Sequence, residues 1–238
     1  MLKEIFEQPE VIRETAKVQI NVKKDFSRII MVGCGTASYA GLVGKYIIEE
    51  MAKIPVNYEI ASEFRYKEPL LGKDDLVIAI SQSGETADTL AAIRLAKQKG
   101  ARTLGIINVI DSTIAREVDQ TIYTRAGPEI GVASTKAFMS QLVIMYKLAF
   151  FLAGRENDFT GIVNKINLAL SKNEEIKTLA QKYCLYQNFL YIGRNRNYPL
   201  ALEGALKLKE ISYIHAEAYP AGARRLRFRG VPFRLFRP

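Results

Sequence analysis

Two adjoining segments, Leu76-Val-Ile-Ala-Ile80 and Ser81-Gln-Ser-Gly-Glu-Thr-Ala-Asp-Thr89, determine how this sequence folds. The first is short, apolar and rich in β-branched residues, which is typical of a buried strand in a parallel sheet. After the second, apolar residues recur at helical spacing as far as Gly100, which predicts a helix that ends there. The polar loop between them therefore lies at the carboxyl end of a strand, where open α/β sheets bind their ligands.

The loop is rich in neutral hydrogen-bonding groups. It contains three hydroxyl groups, one amide and one glycine: Ser81, Ser83, Thr86, Gln82 and Gly84. Free N–H groups at the start of the following helix favour an anion, and hydroxyl groups add donors without an opposing charge. We interpret the loop as a site for a phosphate group on a small molecule. The alternative is an ordinary capped helix start, but one cap needs one hydroxyl group and the loop has three.

Strands and helices alternate on both sides of this loop. Apolar runs predict five strands, at 28–32, 56–60, 76–80, 103–109 and 120–124, and helical patterns predict long helices that end near Met51, Ala153 and Tyr183. This order predicts an α/β fold, an open, doubly wound parallel sheet with helices on both faces. The last of these helices is expected to run without a break from about Phe159. A further apolar strand at 188–193 and a helix at 199–213 indicate the start of a second α/β unit.

Composition excludes several classes of protein. The chain of 238 residues has one histidine and two distant cysteines, Cys34 and Cys184, so we expect no disulfide framework and no metal site. No run of 18 apolar residues and no signal peptide is present, and a soluble cytoplasmic protein is expected. Six arginines and no acidic residue lie in the last sixteen residues, so the net charge falls from +9 to +3 without them. The charge therefore does not indicate a nucleic-acid partner.

A glycine-containing turn follows the first strand. Gly33 and Gly35 with Glu59 partly match a dinucleotide fingerprint, but Ser38 stands in place of the third glycine, so a nicotinamide cofactor is not expected. Cys34 lies at a helix start, where the pKa of a thiol can be lowered. The alternative is that Cys34 is a small packing residue beside a ligand.

Three charged residues share one face of the helix predicted at 199–213. Glu203, Lys207 and Glu210 stand at positions i, i+4 and i+7. Spacing alone favours a solvated face with an i,i+4 ion pair, and the alternative is a general base beside a cation. His215 can likewise be a buried core histidine or a functional one.

Four motifs together resemble one known family. They are Gly33-Cys-Gly-Thr36, the Ser81–Thr89 loop, Glu129-Ile-Gly-Val-Ala-Ser-Thr-Lys-Ala-Phe138 and Ala201-Leu-Glu-Gly-Ala-Leu-Lys-Leu-Lys-Glu-Ile-Ser-Tyr-Ile-His-Ala-Glu-Ala-Tyr219. From Met1 to about Gly222 the chain is similar to the isomerase half of the glutamine–fructose-6-phosphate aminotransferases, which consists of two sugar isomerase (SIS) domains. That resemblance implies a helical arm at 1–27, a first SIS domain at 28–183 and the beginning of a second at 184–222.

The resemblance also implies the site. It assigns sugar-phosphate binding to residues of the first three motifs: Cys34, Gly35, Thr36, Ser81, Gln82, Ser83, Thr86, Val132 and Ser134. Glu210 matches the base that moves a proton between C1 and C2 during ketose–aldose isomerisation, and Glu203 and Lys207 match its neighbours. Ala37 stands where relatives often have serine, so one hydroxyl contact is missing. The family uses no metal or other cofactor in this half, and the half is a homodimer.

The sequence also departs from the family pattern. Nothing in it corresponds to the glutaminase domain, to the histidine that assists ring opening or to the lysine of the family's C-terminal tail. The arginine-rich segment 223–238, which we expect to be disordered, is typical of a frameshift or a mis-assigned gene end, and the alternative is a basic tail that binds anions. We therefore expect weak sugar-phosphate binding and little turnover. Two other hypotheses are a stand-alone SIS isomerase or deglycase, and a sugar-phosphate sensor without catalysis.

Overall fold

A computed structural model describes residues 1–222, which form a five-stranded and a two-stranded parallel sheet. The larger sheet has the strand order β2-β1-β3-β4-β5, and the α/β fold predicted from the sequence is confirmed. Its strands are β1 (Arg28–Gly33), β2 (Val56–Ile60), β3 (Asp75–Ser81), β4 (Arg102–Ile107) and β5 (Gln120–Tyr123). All seven residues of β3, the central strand, are buried, as expected where helices cover both faces of a sheet.

Helices cover the two faces because successive side chains of a strand point in opposite directions. Met31 and Ile78 pack against the long helices α3 (Gly35–Ala52) and α7 (Lys136–Leu152). Val32 and Val77 lie on the other face of the sheet and pack mainly on α5 (Ala87–Gln98). The helices of that second face are α4 (Ala61–Phe64), α5 (Ala87–Gln98) and α6 (Thr113–Glu117).

The strand order reverses between β1 and β3. From β1 the chain crosses to β2 on one side, and it then returns to form β3 on the other side of β1. The turn after β1 and the loop after β3 therefore leave neighbouring strands at the same edge of the sheet. A ligand-binding crevice is expected at such a switch point.

The N-terminal arm consists of α1 (Leu2–Phe6) and α2 (Gln8–Ala16), followed by a segment without regular secondary structure. Ile12 of α2 is fully buried against Val143 of α7 and against Phe159 and Val163. The arm therefore packs on the outer side of α7.

The region predicted as one helix from Phe159 to Tyr183 is two helices, α8 (Thr160–Leu170) and α9 (Asn173–Tyr183). The prediction of an unbroken helix was wrong at the polar segment between them. The Ser171 hydroxyl donates a hydrogen bond to the carbonyl of Leu168 at 2.8 Å, a local bond that competes with helix continuation. No residue of α9 is buried, so no tertiary packing offsets the break.

The smaller sheet pairs β6 (Asn188–Gly193) with β7 (His215–Pro220), and α10 (Tyr198–Ser212) connects them. Its buried core consists of alanines: Ala201, Ala205, Ala216 and Ala218. His215 is exposed, and its Nδ1 lies 3.0 Å from Oδ1 of Asn188. The alternative of a buried core histidine is therefore wrong. The arginine-rich segment 223–238 and its predicted disorder lie outside the described residues.

Candidate functional site

A pocket of about 180 Å³ lies at the carboxyl ends of β1 and β3. Seven of the residues singled out from the sequence line it: Cys34, Thr36, Ser81, Gln82, Ser83, Thr86 and Ser134. None of its lining residues carries a charge. An anion bound here would therefore be held by neutral donors and by backbone N–H groups.

The loop after β3 is folded by its own hydroxyl groups. The Ser81 hydroxyl oxygen accepts a hydrogen bond from the backbone N–H of Gly84 at 2.9 Å, and that of Ser83 accepts one from Glu85 at 3.2 Å. Gly84 has a positive φ of 67°, and a Cβ atom there would lie 1.9 Å from the Ser112 hydroxyl oxygen. Only glycine fits this turn, which aims the start of α5 at the pocket.

The structure also bears on the alternative of an ordinary capped helix. Thr86 is the N-cap residue of α5, but its side chain makes no capping hydrogen bond to the helix. Its hydroxyl oxygen lies 3.4 Å from that of Ser81 instead. The first N–H groups of α5 are therefore not satisfied by a side-chain cap, which is the state in which a helix start can bind an anion.

The turn after β1 forms the opposite wall. Cys34 is the N-cap residue of α3, and its sulfur lies 3.9 Å from the Thr89 hydroxyl oxygen. Gly35 has a positive φ of 52° and does not itself line the pocket. Cys34 thus borders the pocket as a half-buried residue that packs on α5.

Charged residues of α10 reach the pocket wall through Thr36. The Thr36 hydroxyl donates to Oε1 of Glu203 at 3.0 Å and accepts from Nζ of Lys207 at 3.0 Å. Lys207 Nζ also lies 2.5 Å from Oε2 of Glu210 and 3.5 Å from Oε1 of Glu203. Glu203 and Lys207 are joined to α3 through Thr36 and do not lie on a solvated face, whereas Glu210 is exposed and is joined to them only through Lys207. They adjoin the pocket but do not line it.

Glu203 is a buried carboxyl group with one oxygen that has no hydrogen-bond partner among residues 1–222. It is only 6% exposed, and the unpaired oxygen is Oε2. Burial raises the pKa of this carboxyl group, while the Lys207 ammonium and the Thr36 hydroxyl oppose that rise. A buried carboxylate with a raised pKa beside a pocket is the pattern expected at functional sites.

A loop before α7 closes the pocket on a third side. The Glu129 carboxylate accepts hydrogen bonds from the Ser134 hydroxyl and the Thr135 N–H, each at 2.8 Å. Glu4 of the N-terminal arm accepts from the N–H groups of Ile130 and Gly131 at 2.7 and 3.1 Å. These two bonds, together with the N-terminal ammonium 3.1 Å from Oε2, lower the pKa of Glu4 to about 2.

Val132 lies in the same loop but is 100% exposed and outside the pocket. Two lining residues, Ile80 and Gln141, were not predicted from the sequence, and Ala37, the position where a hydroxyl contact is missing, lines the pocket too. A signal for Gln141 exists, because it interrupts the apolar helix 138–153 with a polar side chain.

Comparison with known proteins gives consistent matches. Residues 23–151 match the SIS domain family. The glutamine–fructose-6-phosphate aminotransferase (isomerizing) of Chlorobaculum tepidum is 50% identical over 93% of this chain, and that of Aquifex aeolicus is 49% identical over 93%. The chain spans about 40% of the length of these curated relatives.

Among solved structures, the C-terminal domain of glucosamine-fructose-6-phosphate aminotransferase from Francisella tularensis is 40% identical. Its TM-score is 0.84, and the match covers 93% of this chain and 69% of that one. A glucosamine-6-phosphate deaminase from Thermotoga maritima is 27% identical with a TM-score of 0.76, over 94% and 70% of the two chains. Within residues 1–222, no helix is long and apolar enough to cross a membrane.

Proposed function

Since this chain belongs to the SIS domain family, we propose that it binds fructose 6-phosphate and glucosamine 6-phosphate weakly and catalyses ketose–aldose isomerisation of amino-sugar synthesis with little turnover. The observation that carries the proposal is the uncharged, hydroxyl-lined pocket at the uncapped start of α5. A phosphate group can accept hydrogen bonds from Ser81, Ser83 and Thr86 and from free N–H groups of α5. The sugar chain would then extend across the pocket towards Thr36.

The proposed proton transfer uses the carboxylate of Glu210. This carboxylate removes a proton from C1 of the open-chain ketose, and the electron pair of that C–H bond forms the C1=C2 double bond while O2 takes up a proton. Glu210 then returns its proton to C2, O1 loses its proton, and the aldose forms at C1. Lys207 lies 2.5 Å from Glu210 and 3.0 Å from Thr36, so it can hold the carboxylate beside the pocket wall.

We further propose that the active form is a homodimer in the cytoplasm. The exposed side chains of Ile130 and Val132 flank Gly131 on the loop that closes the pocket, and an interface between two copies would cover them. Both cysteines are free, as is usual in a reducing compartment. Sedimentation of the Ile130→Asp variant tests the interface: a shift from dimer to monomer is expected, and an unchanged dimer would contradict it.

Calorimetric titration with fructose 6-phosphate, glucosamine 6-phosphate and inorganic phosphate tests binding. We expect both sugar phosphates to bind more tightly than phosphate, and Ser83→Ala to weaken all three. Ser171→Ala, an exposed serine between α8 and α9, is the matched control and should bind as the parent does. The proposal would be refuted if neither sugar phosphate gave a heat of binding with protein that is shown to be folded by its cooperative unfolding.

A second experiment tests the chemistry. Incubation of fructose 6-phosphate with the chain in D₂O should replace hydrogen at C1 by deuterium, read by proton NMR, because the base exchanges its proton with solvent. The Glu210→Gln variant should bind the sugar phosphate and lose the exchange. Equal exchange in parent and variant would remove Glu210 from the proposed role.

A further inference from the structure

We propose that Gln141 is a further substrate-binding residue of the pocket and that its side-chain amide hydrogen-bonds to a hydroxyl group of the bound sugar. The inference rests on the proposed function, because it concerns the same pocket. It adds a contact to the sugar portion of the ligand from a residue of α7 that lies beyond the third sequence motif.

The position of Gln141 is the first observation. It lies on α7, lines the pocket together with Ser81 and Ser134, and is only 2% exposed. Helix α7 packs against the sheet and against α3. The side chain is therefore held by a rigid element at the pocket wall.

The second observation is an unmet hydrogen bond. Oε1 of Gln141 is buried and has no partner among residues 1–222. A buried carbonyl oxygen without a partner is unfavourable, and such groups are rare in folded proteins. A ligand in the pocket that supplies a donor would remove this cost.

The other buried polar side chains of α7 provide a comparison. The Ser140 hydroxyl donates to the carbonyl of Ala137 at 2.7 Å. Lys136 pairs with Glu7 at 2.6 Å, and Lys147 donates to the carbonyl of Ala16 at 2.6 Å. Each of these groups is satisfied within the protein. Gln141 differs from them in lining the pocket while its Oε1 atom has no partner among residues 1–222.

The unpaired atom of Gln141 is an acceptor, and it favours a hydroxyl group over a phosphate. The carbonyl oxygen of Gln141 is an acceptor and repels the acceptor oxygens of a phosphate group, but it can accept a hydrogen bond from a sugar hydroxyl. A hydroxyl group both donates and accepts, so it can also serve the amide NH₂ group. Gln141 therefore contributes to recognition of the sugar and not to recognition of the phosphate.

The test compares fructose 6-phosphate with inorganic phosphate on the full chain. Gln141→Met keeps the length of the side chain and removes the amide. We expect fructose 6-phosphate to bind about tenfold more weakly, because one hydrogen bond is lost. The affinity for phosphate should change by less than about twofold. The melting temperature without ligand should not fall, because the variant also removes the unpaired oxygen. Gln98→Met, an exposed glutamine at the far end of α5, should change neither affinity.

A measurement on the parent chain needs no variant. The side-chain amide resonances of Gln141 in ¹H–¹⁵N NMR spectra should shift on addition of fructose 6-phosphate and stay in place with phosphate alone. Unshifted resonances at saturating sugar phosphate, or equal affinity in parent and Gln141→Met, would overturn the inference and leave the proposed function standing. If the parent fails to bind fructose 6-phosphate at all, both are overturned.

Discussion

The two parallel sheets of this chain differ in how they are supported. In the five-stranded sheet, large apolar side chains such as Ile78, Met31 and Leu104 are fully or almost fully buried between two helical layers. The two-stranded sheet has a core of alanines, and Ile192 of β6 is 59% exposed. Two-stranded units are marginal in isolation, so the β6–α10–β7 unit depends on its contact with α3. The proposed phosphate site lies in the first region, whereas the proposed base lies in the second.

The largest expected effect concerns the core of the larger sheet. Ile78→Ala should lower the free energy of unfolding by about 3 kcal/mol, because it leaves a cavity in a fully buried site. Ile192→Ala in β6 should lower it by less than about 0.5 kcal/mol, because its side chain is mostly in water. Urea unfolding of both variants measures the difference. Similar losses would show that β6 is supported as firmly as β3.

The next effect concerns the contact between α3 and α10, which connects the two regions. Thr36→Val removes the hydroxyl that bonds to Glu203 and Lys207, and bonds to charged groups contribute about 2 kcal/mol. Hydrogen exchange should therefore speed up in α10, β6 and β7 and stay unchanged in β1 and β3. Thr178→Val on the exposed helix α9 is the control. Uniform changes over both sheets would show that the two regions open together.

A carboxyl group of the first region should stabilise the protein more as pH rises. The pKa of Glu4 is lowered from 4.5 to about 2 by its bonds to Ile130 and Gly131 and by the N-terminal ammonium. Its stabilising contribution is therefore present above pH 4.5 and is lost as pH falls towards 2. Glu4→Gln should melt at a lower temperature than the parent at pH 7. The difference between the two melting temperatures should shrink as pH falls from 4.5 towards 2. A gap that stays constant would contradict this assignment.

A carboxyl group of the second region should instead destabilise the protein more as pH rises. Burial raises the pKa of Glu203 above 4.5, so the ionised form costs stability above its raised pKa. The cost shrinks as pH falls from that value towards 4.5. Glu203→Gln should therefore melt above the parent at pH 7 and approach it as pH falls through this window. A lower melting temperature for Glu203→Gln at pH 7 would show that the Lys207 pair outweighs burial.

The smallest expected effect concerns Val132. Its side chain does not line the pocket, so Val132→Ala should change the affinity for fructose 6-phosphate by less than about twofold. Ser134→Ala, at a position that lines the pocket, should weaken it. Calorimetry on both variants makes the comparison. A larger loss in Val132→Ala would show that this side chain reaches the ligand after all.

The sequence predicts the first region better than the second. Buried strands such as 76–80 and the hydroxyl-rich loop after them carry local signals, namely β-branched residues and turn chemistry. Spacing alone favoured a solvated face for Glu203, Lys207 and Glu210, because the contact of Glu203 and Lys207 with Thr36 is tertiary and leaves no local signal. Gln141 was missed for the same reason, since its pocket position depends on how α7 packs on the sheet. The break at Ser171 was missed because helical periodicity continues across it.

Hydrogen exchange with and without fructose 6-phosphate, read separately for the Ser81–Thr86 loop and for α10, tests most directly whether one site spans both regions. We expect protection in both segments with the sugar phosphate, and protection only at the loop and the start of α5 with inorganic phosphate. Protection of the loop alone with both ligands would contradict a site shared between the two regions and would remove α10 from it.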